Sequence, residues 1–167
     1  MKKLLLFTFL VVLVSCDTGL APEGDNIEDP GISGTITFTG SWSPDVTRTH
    51  IVIFKDSLKS QSDFNALNLR YVSLEIPFGV SEYQYSTLDE ATLENIQAEE
   101  YAYFAVAQSN TPALSLNRAD WKVVGLWSNP VREPEKIVVP PGTFLRNIDI
   151  VCDFNNPPVQ PPGGINE

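Results

Sequence analysis

The amino-acid sequence predicts an all-β protein: a single antiparallel β-sandwich of seven or eight strands, with at most one or two short helices. Three observations carry this. Apolar and polar side chains alternate with a period of two through most of the chain, the spacing of strands with one buried face. Thirteen prolines, ten glycines and a single methionine among 167 residues oppose a helical bundle and supply many turns. The chain is 43% hydrophobic, with Val, Ile, Phe and Tyr plentiful enough to build a core.

The strands follow in order. Ile32, Gly34, Ile36 and Phe38 share one face of the first, opposite Ser33, Thr35, Thr37 and Thr39. A glycine at Gly34 lets a neighbouring strand or loop approach closely. Residues 50–54 (HIVIF) form a continuous apolar run, the pattern of a central strand covered on both faces. Over 71–77, Val72, Leu74 and Ile76 alternate with Tyr71, Ser73 and Glu75, and over 80–87 Tyr83 and Tyr85 lie opposite Glu82 and Gln84. Residues 101–108 (YAYFAVAQ) make another apolar strand, then 121–127 (WKVVGLW), whose Trp121 and Trp127 share parity and belong in or near the core, and then 135–139. The last strand, 144–154, points Ile148, Ile150, Cys152 and Phe154 one way and Asp149 and Asp153 the other. Thr87-Leu88-Asp89-Glu90 reads as a capping box ahead of ATLENIQAEE, predicting one short helix, with a second at 57–69.

The chain ends read differently. Lys2 and Lys3 precede residues 4–14, an apolar run broken only by Thr8, which is too short for a bilayer span of about 20 residues. The run closes on Leu13-Val14-Ser15-Cys16, which resembles the lipobox of bacterial lipoproteins. The resemblance implies that residues 1–15 are a signal peptide and that the mature chain begins at a lipidated Cys16. It also implies a membrane partner through that lipid and a place in the bacterial cell envelope, the outer membrane favoured. Loss of two lysines with the peptide would take the net charge from −10 to −12 and leave Cys152 as the one free thiol. Residues 16–30, rich in acids, Pro and Gly, read as a lipidated acidic tether; 155–167, with four prolines, read as a loose, disordered tail. The folded domain is then 31–154.

The chemistry-bearing residues form no evident catalytic set. His50 is the only histidine, and with one free cysteine it offers no ordinary zinc ligand set. A serine hydrolase would need that histidine at a cleft beside a serine on a strained turn, and no G-x-S-x-G occurs. Asp149 and Asp153 sit four residues apart along one strand, roughly 13 Å, too far for either glycosidase geometry. Asp89, Glu90, Glu94, Glu99 and Glu100 read as a solvated acidic surface rather than a calcium loop. A net charge of −10 argues against nucleic acid, and no cofactor or metal is implied. Tyr83 and Tyr85 on one strand and Tyr101 and Tyr103 on the next would form a ring platform for a sugar or peptide if those strands pair. Cross-strand rings also simply stabilise sheets, and that reading is preferred.

Gly31-Ile32-Ser33-Gly34-Thr35-Ile36 at the start, with Ile137-Val138-Val139-Pro140-Pro141-Gly142 and Ile148-Asp149-Ile150 at the end, resemble the first and last strands of transthyretin-like sandwiches of the carboxypeptidase regulatory-like kind. Pro141-Gly142 suits a turn with glycine at positive φ. Where such domains carry L-P-x-G-x-Y, this chain has Gln97-Ala98-Glu99-Glu100-Tyr101, which leaves an immunoglobulin- or fibronectin-like topology open. The resemblance implies an accessory module. The expected function is therefore a lipid-anchored, non-enzymatic structural or interaction module of the envelope, contacting a protein or polysaccharide. The alternative is a small-ligand or carbohydrate-binding lipoprotein using the tyrosine face or an end-loop pocket.

Overall fold

The computed structural model describes residues 27–164. The expected signal peptide, Cys16 and residues 17–26 of the expected tether lie outside them. The described chain is almost entirely β, arranged as two facing sheets. Its strands are β1 (Gly31–Thr39), β2 (Arg48–Phe54), β3 (Leu69–Ser73), β4 (Glu82–Ser86), β5 (Ala91–Glu94), β6 (Glu100–Tyr101), β7 (Tyr103–Ser109), β8 (Lys122–Leu126), β9 (Ile137–Val138), β10 (Phe144–Leu145) and β11 (Ile150–Asp153). One sheet places β1 between β4 and the successive pair β10 and β11; the other runs β5-β3-β2-β7-β8. β6 and β9 form a small separate antiparallel pair.

The core between the sheets takes Ile32, Ile36, Phe38, Tyr85, Ile150 and Cys152 from the first sheet against Ile51, Ile53, Tyr71, Phe104, Val106 and Val124 from the second. A smaller cluster of Phe54, Leu58, Tyr103, Ala105 and Val123 covers part of the outer face of the five-stranded sheet. That second layer is why 50–54 and 101–108 read as continuous apolar runs: every residue of β7 is buried. At one end of the sandwich the Phe38, Trp42 and Phe154 rings pack together, with ring centroids 4.8–5.9 Å apart.

Two glycines set the spacing. A Cβ on Gly34 would lie 2.2 Å from the Ile148 carbonyl oxygen, so the segment before β11 passes directly over β1 there, as expected of that glycine. A Cβ on Gly125 would lie 2.4 Å from Cys152 Sγ, so β8 and β11 meet across the layers where no side chain intervenes. Gly142 takes φ +67° after Pro141, as the turn chemistry anticipates.

Several expectations are corrected. β10 and β11 pair with β1 in parallel, whereas all other pairings are antiparallel among the described residues. The chain reaches β1's free edge after crossing between layers, so no tight hairpin dictates its direction. The predicted helix after Thr87 is instead the edge strand β5. Its would-be cap, Thr87, accepts a 2.8 Å hydrogen bond from Ile32 N, and Glu94 accepts one from Ala91 N. Tertiary pairing with β3 overrides a weak local helix signal. The second predicted helix is only a 3₁₀ turn, Gln61–Asp63. Eleven strands replace seven or eight because β5 is added, 101–108 breaks at Ala102, and 144–154 breaks where Asn147 takes φ +62°.

Both domain edges also extend. Glu28, assigned to the tether, donates its N–H to the Gly142 carbonyl and pairs with Arg146 at 2.6 Å. The Pro-rich segment is docked at least to Gly164. The Gln160 amide accepts from Val123 N at 2.8 Å and donates to Val123 O at 2.9 Å, capping the free edge of β8 as a strand would. Arg118, fully buried, donates to the Pro161 carbonyl at 2.9 Å and to the Trp121 carbonyl. Composition alone marked this segment as loose because prolines cannot join a ladder; side-chain hydrogen bonds hold it instead.

Candidate functional site

The residues with most chemical potential are committed to the fold. His50 is 1% exposed; its Nδ1 donates to the Ser73 carbonyl at 2.9 Å and its ring edges onto Trp121. Burial holds its pKa below the ordinary 6.5. Cys152 is fully buried on the core face, as expected, and desolvation pushes its thiol pKa up. Among the described residues no group of three His, Cys, Asp or Glu side chains is placed to hold a metal ion.

The four tyrosines do not share a platform. Tyr83 and Tyr85 lie on β4, which pairs with β1, while Tyr101 and Tyr103 lie on β6 and β7, whose partners are β9, β2 and β8. Tyr85 is buried and donates to the Ile148 carbonyl at 2.7 Å, fastening the crossing over Gly34. Tyr101 is buried, accepts from Gln97 N at 2.6 Å and donates to Gln97 O at 2.9 Å, a tyrosine corner that makes a Pro/Gly turn unnecessary there. Tyr83 is half-buried against the core. Of the four, Tyr103 lines the cavity described below.

That cavity belongs to a cleft bounded by β8, the loop after it, β11 and the docked C-terminal segment. It has two lobes, about 410 and about 650 Å³, which share Leu126, Arg132 and Asn156. The smaller lobe adds Trp127, Ser128, Asp149, Val151 and Asp153; the larger adds Tyr103, Val131, Glu133 and a wall of prolines. These volumes suit a small ligand or part of a longer one.

The loop carrying Arg132 is held rigidly. Asn129 Oδ1 accepts from the N–H groups of Val131 and Glu133, Arg132 N donates to Asn129 O at 2.8 Å, and Ser128 bridges Pro134. Arg132 takes φ +66°, an unfavourable conformation for a non-glycine residue, and its guanidinium donates to the Asn156 carbonyl at 2.7 Å between the lobes. Asp149 accepts from Thr35 N at 2.8 Å and Asp153 from Asn155 N at 3.0 Å, so both carboxylates are oriented. Trp127 Nε1 and Tyr103 Oη are buried without a hydrogen-bond partner, one residue in each lobe. Native folds leave few such atoms.

A second, smaller pocket of about 210 Å³ lies on the outer face of the five-stranded sheet. It is apolar apart from Thr92 and Ser115 and is bordered by exposed Leu114 and Leu116.

Sequence reasoning picked out Tyr103, Asp149 and Asp153 but not their convergence, and it missed Arg132 and Asn156. No local pattern marks those two, because the cleft draws its lining from separate segments between Leu58 and Pro162. Comparison with protein-family models, with curated proteins and with solved structures found no match.

Proposed function

We propose that the protein is a lipid-anchored component of the bacterial cell envelope whose sandwich acts as a non-enzymatic binding module. The observation that carries the anchor is Leu13-Val14-Ser15-Cys16 at the end of an eleven-residue apolar run behind Lys2 and Lys3. Two or three acyl chains, at roughly 0.8 kcal/mol per buried methylene, would hold it firmly on a membrane. Because the domain already begins by Glu28, the tether between anchor and body shortens to residues 17–27, a reach of at most about 40 Å. The module reading is supported by a preformed cleft on a rigid sandwich and by the burial of His50 and Cys152 in the core. The transthyretin-like kinship is proposed on the same footing, supported by the close crossing at Gly34 and the Pro141-Gly142 turn.

Metabolic labelling with a radioactive fatty acid, in a bacterial host expressing the full chain, tests the anchor. Label should appear in the wild-type protein and vanish in Cys16→Ser, with the protein leaving the membrane fraction. Unchanged label in that variant would refute the reading.

A further inference from the structure

We propose that the two-lobed cleft around Arg132 is a binding site for a neutral saccharide chain. The inference rests on the reading of the sandwich as a binding module and names its ligand class. Two independent features mark the place as a site. It is a concavity of about 410 and about 650 Å³ in its two lobes, lined by polar groups held in fixed orientations. A non-glycine residue at its centre, Arg132, keeps a left-handed backbone that the surrounding loop over-determines, and such strain gathers at functional sites.

The chemistry of the walls selects the ligand. Asp149 and Asp153 offer acceptors, while the Arg132 guanidinium and the Asn156 amide offer donors. A chain of vicinal hydroxyls, each able to donate and accept, satisfies both kinds at once. An anion would face two carboxylates on a protein of net charge −10. A cation would meet Arg132 between the lobes. A purely apolar ligand would strip water from charged groups and return no hydrogen bonds. Trp127 lines the smaller lobe with Leu126 and the exposed Val151, supplying apolar surface for the C–H faces of a pyranose. Two lobes joined past one arginine suit consecutive sugar units better than a single ring.

Isothermal titration of the full chain, purified in detergent, provides the test. The probes are neutral hexasaccharides of glucose, xylose, mannose and N-acetylglucosamine, with polygalacturonate and tetralysine as charged counterparts. At least one neutral probe should bind. Arg132→Ala should weaken that binding about tenfold, the cost of one or two lost hydrogen bonds, and Trp127→Ala should weaken it through loss of the apolar surface against the sugar face. Leu116→Ala, on the far pocket, should leave it unchanged. Asp153→Asn alters an already half-exposed side chain, so it should weaken binding with the unfolding midpoint kept even if Trp127→Ala fails to fold. The proposal is overturned if no neutral probe binds, if only a charged one does, or if the cleft variants bind as well as wild type. Acyl labelling is read separately, so loss of the saccharide result with the label intact removes the ligand class and leaves the anchor standing.

Discussion

At Gly34 the absence of one carbon atom shapes the first sheet. The Ile148 carbonyl passes over this residue, Ile148 N donates to Ser33 O, Tyr85 Oη donates to Ile148 O, and Asp149 takes up the Thr35 N–H. A methyl group would have to displace backbone, not a pliable side chain. Gly34→Ala should therefore cost about 3 kcal/mol. Gly79, at φ +85° with nothing within 4 Å of a built Cβ, is the matched control: Gly79→Ala should cost only about 1 kcal/mol, from backbone strain alone. Urea unfolding of the two variants checks the difference, and equal losses would mean that the crossing at Gly34 adapts.

The edge of β8 is closed by the C-terminal segment rather than by a strand. Without a neighbouring strand it would expose unpaired backbone groups, a template for association. Gln160 supplies both an acceptor and a donor to Val123, so one side chain does the work of a strand residue. Gln160→Ala should destabilise by about 1–2 kcal/mol, for two hydrogen bonds lost at a half-buried site. It should also accelerate hydrogen exchange at the Val123 amide while leaving Ile51, in the centre of the same sheet, protected. Exchange at Val123 that stays slow would show that the Arg118–Pro161 contact suffices to dock the segment. The same element explains part of what the sequence concealed. Period-two alternation reveals Ile32, Ile36 and Phe38 directly, because each strand shows its own buried face. A proline-rich stretch closing an edge through a glutamine side chain leaves no periodic trace. Nor does Ala91–Glu94, whose strand state is decided by β3 beside it.

For the whole molecule, pH is the most informative variable. His50 sits on β2 between the Ser73 carbonyl and the edge of Trp121, with Glu75 and Arg48 nearby, and burial is the largest influence lowering its pKa. Below the ordinary value of 6.5 the unfolded chain takes up a proton that the folded chain refuses. Its contribution is thus complete above about pH 6.5 and is lost progressively as pH falls toward the folded pKa. The carboxylates held low by partners, Glu28 by Arg146, Asp63 by Ser60 and Glu99 by Lys55 and Arg70, lose their contributions only below ordinary carboxylate values. Between about pH 6.5 and about pH 5 the slope of stability should then belong to His50. Urea unfolding of the wild type should weaken across that window, and His50→Gln should flatten the dependence. An unchanged slope in the variant would assign it elsewhere.

The sequence by itself determined that this chain is all-β, which residues of the first and last strands face the core, and where glycine must admit a crossing chain or a turn. Those properties follow from spacing and from single-residue geometry, and both are local. Only the tertiary structure decided that the last strand runs parallel to the first, that the C-terminal segment is docked, and that four tyrosines part company while Tyr103, Trp127, Arg132 and Asp153 gather around one cleft. Each of these depends on which distant segments become neighbours once the two sheets close on their shared core, and side-chain periodicity carries no record of that choice.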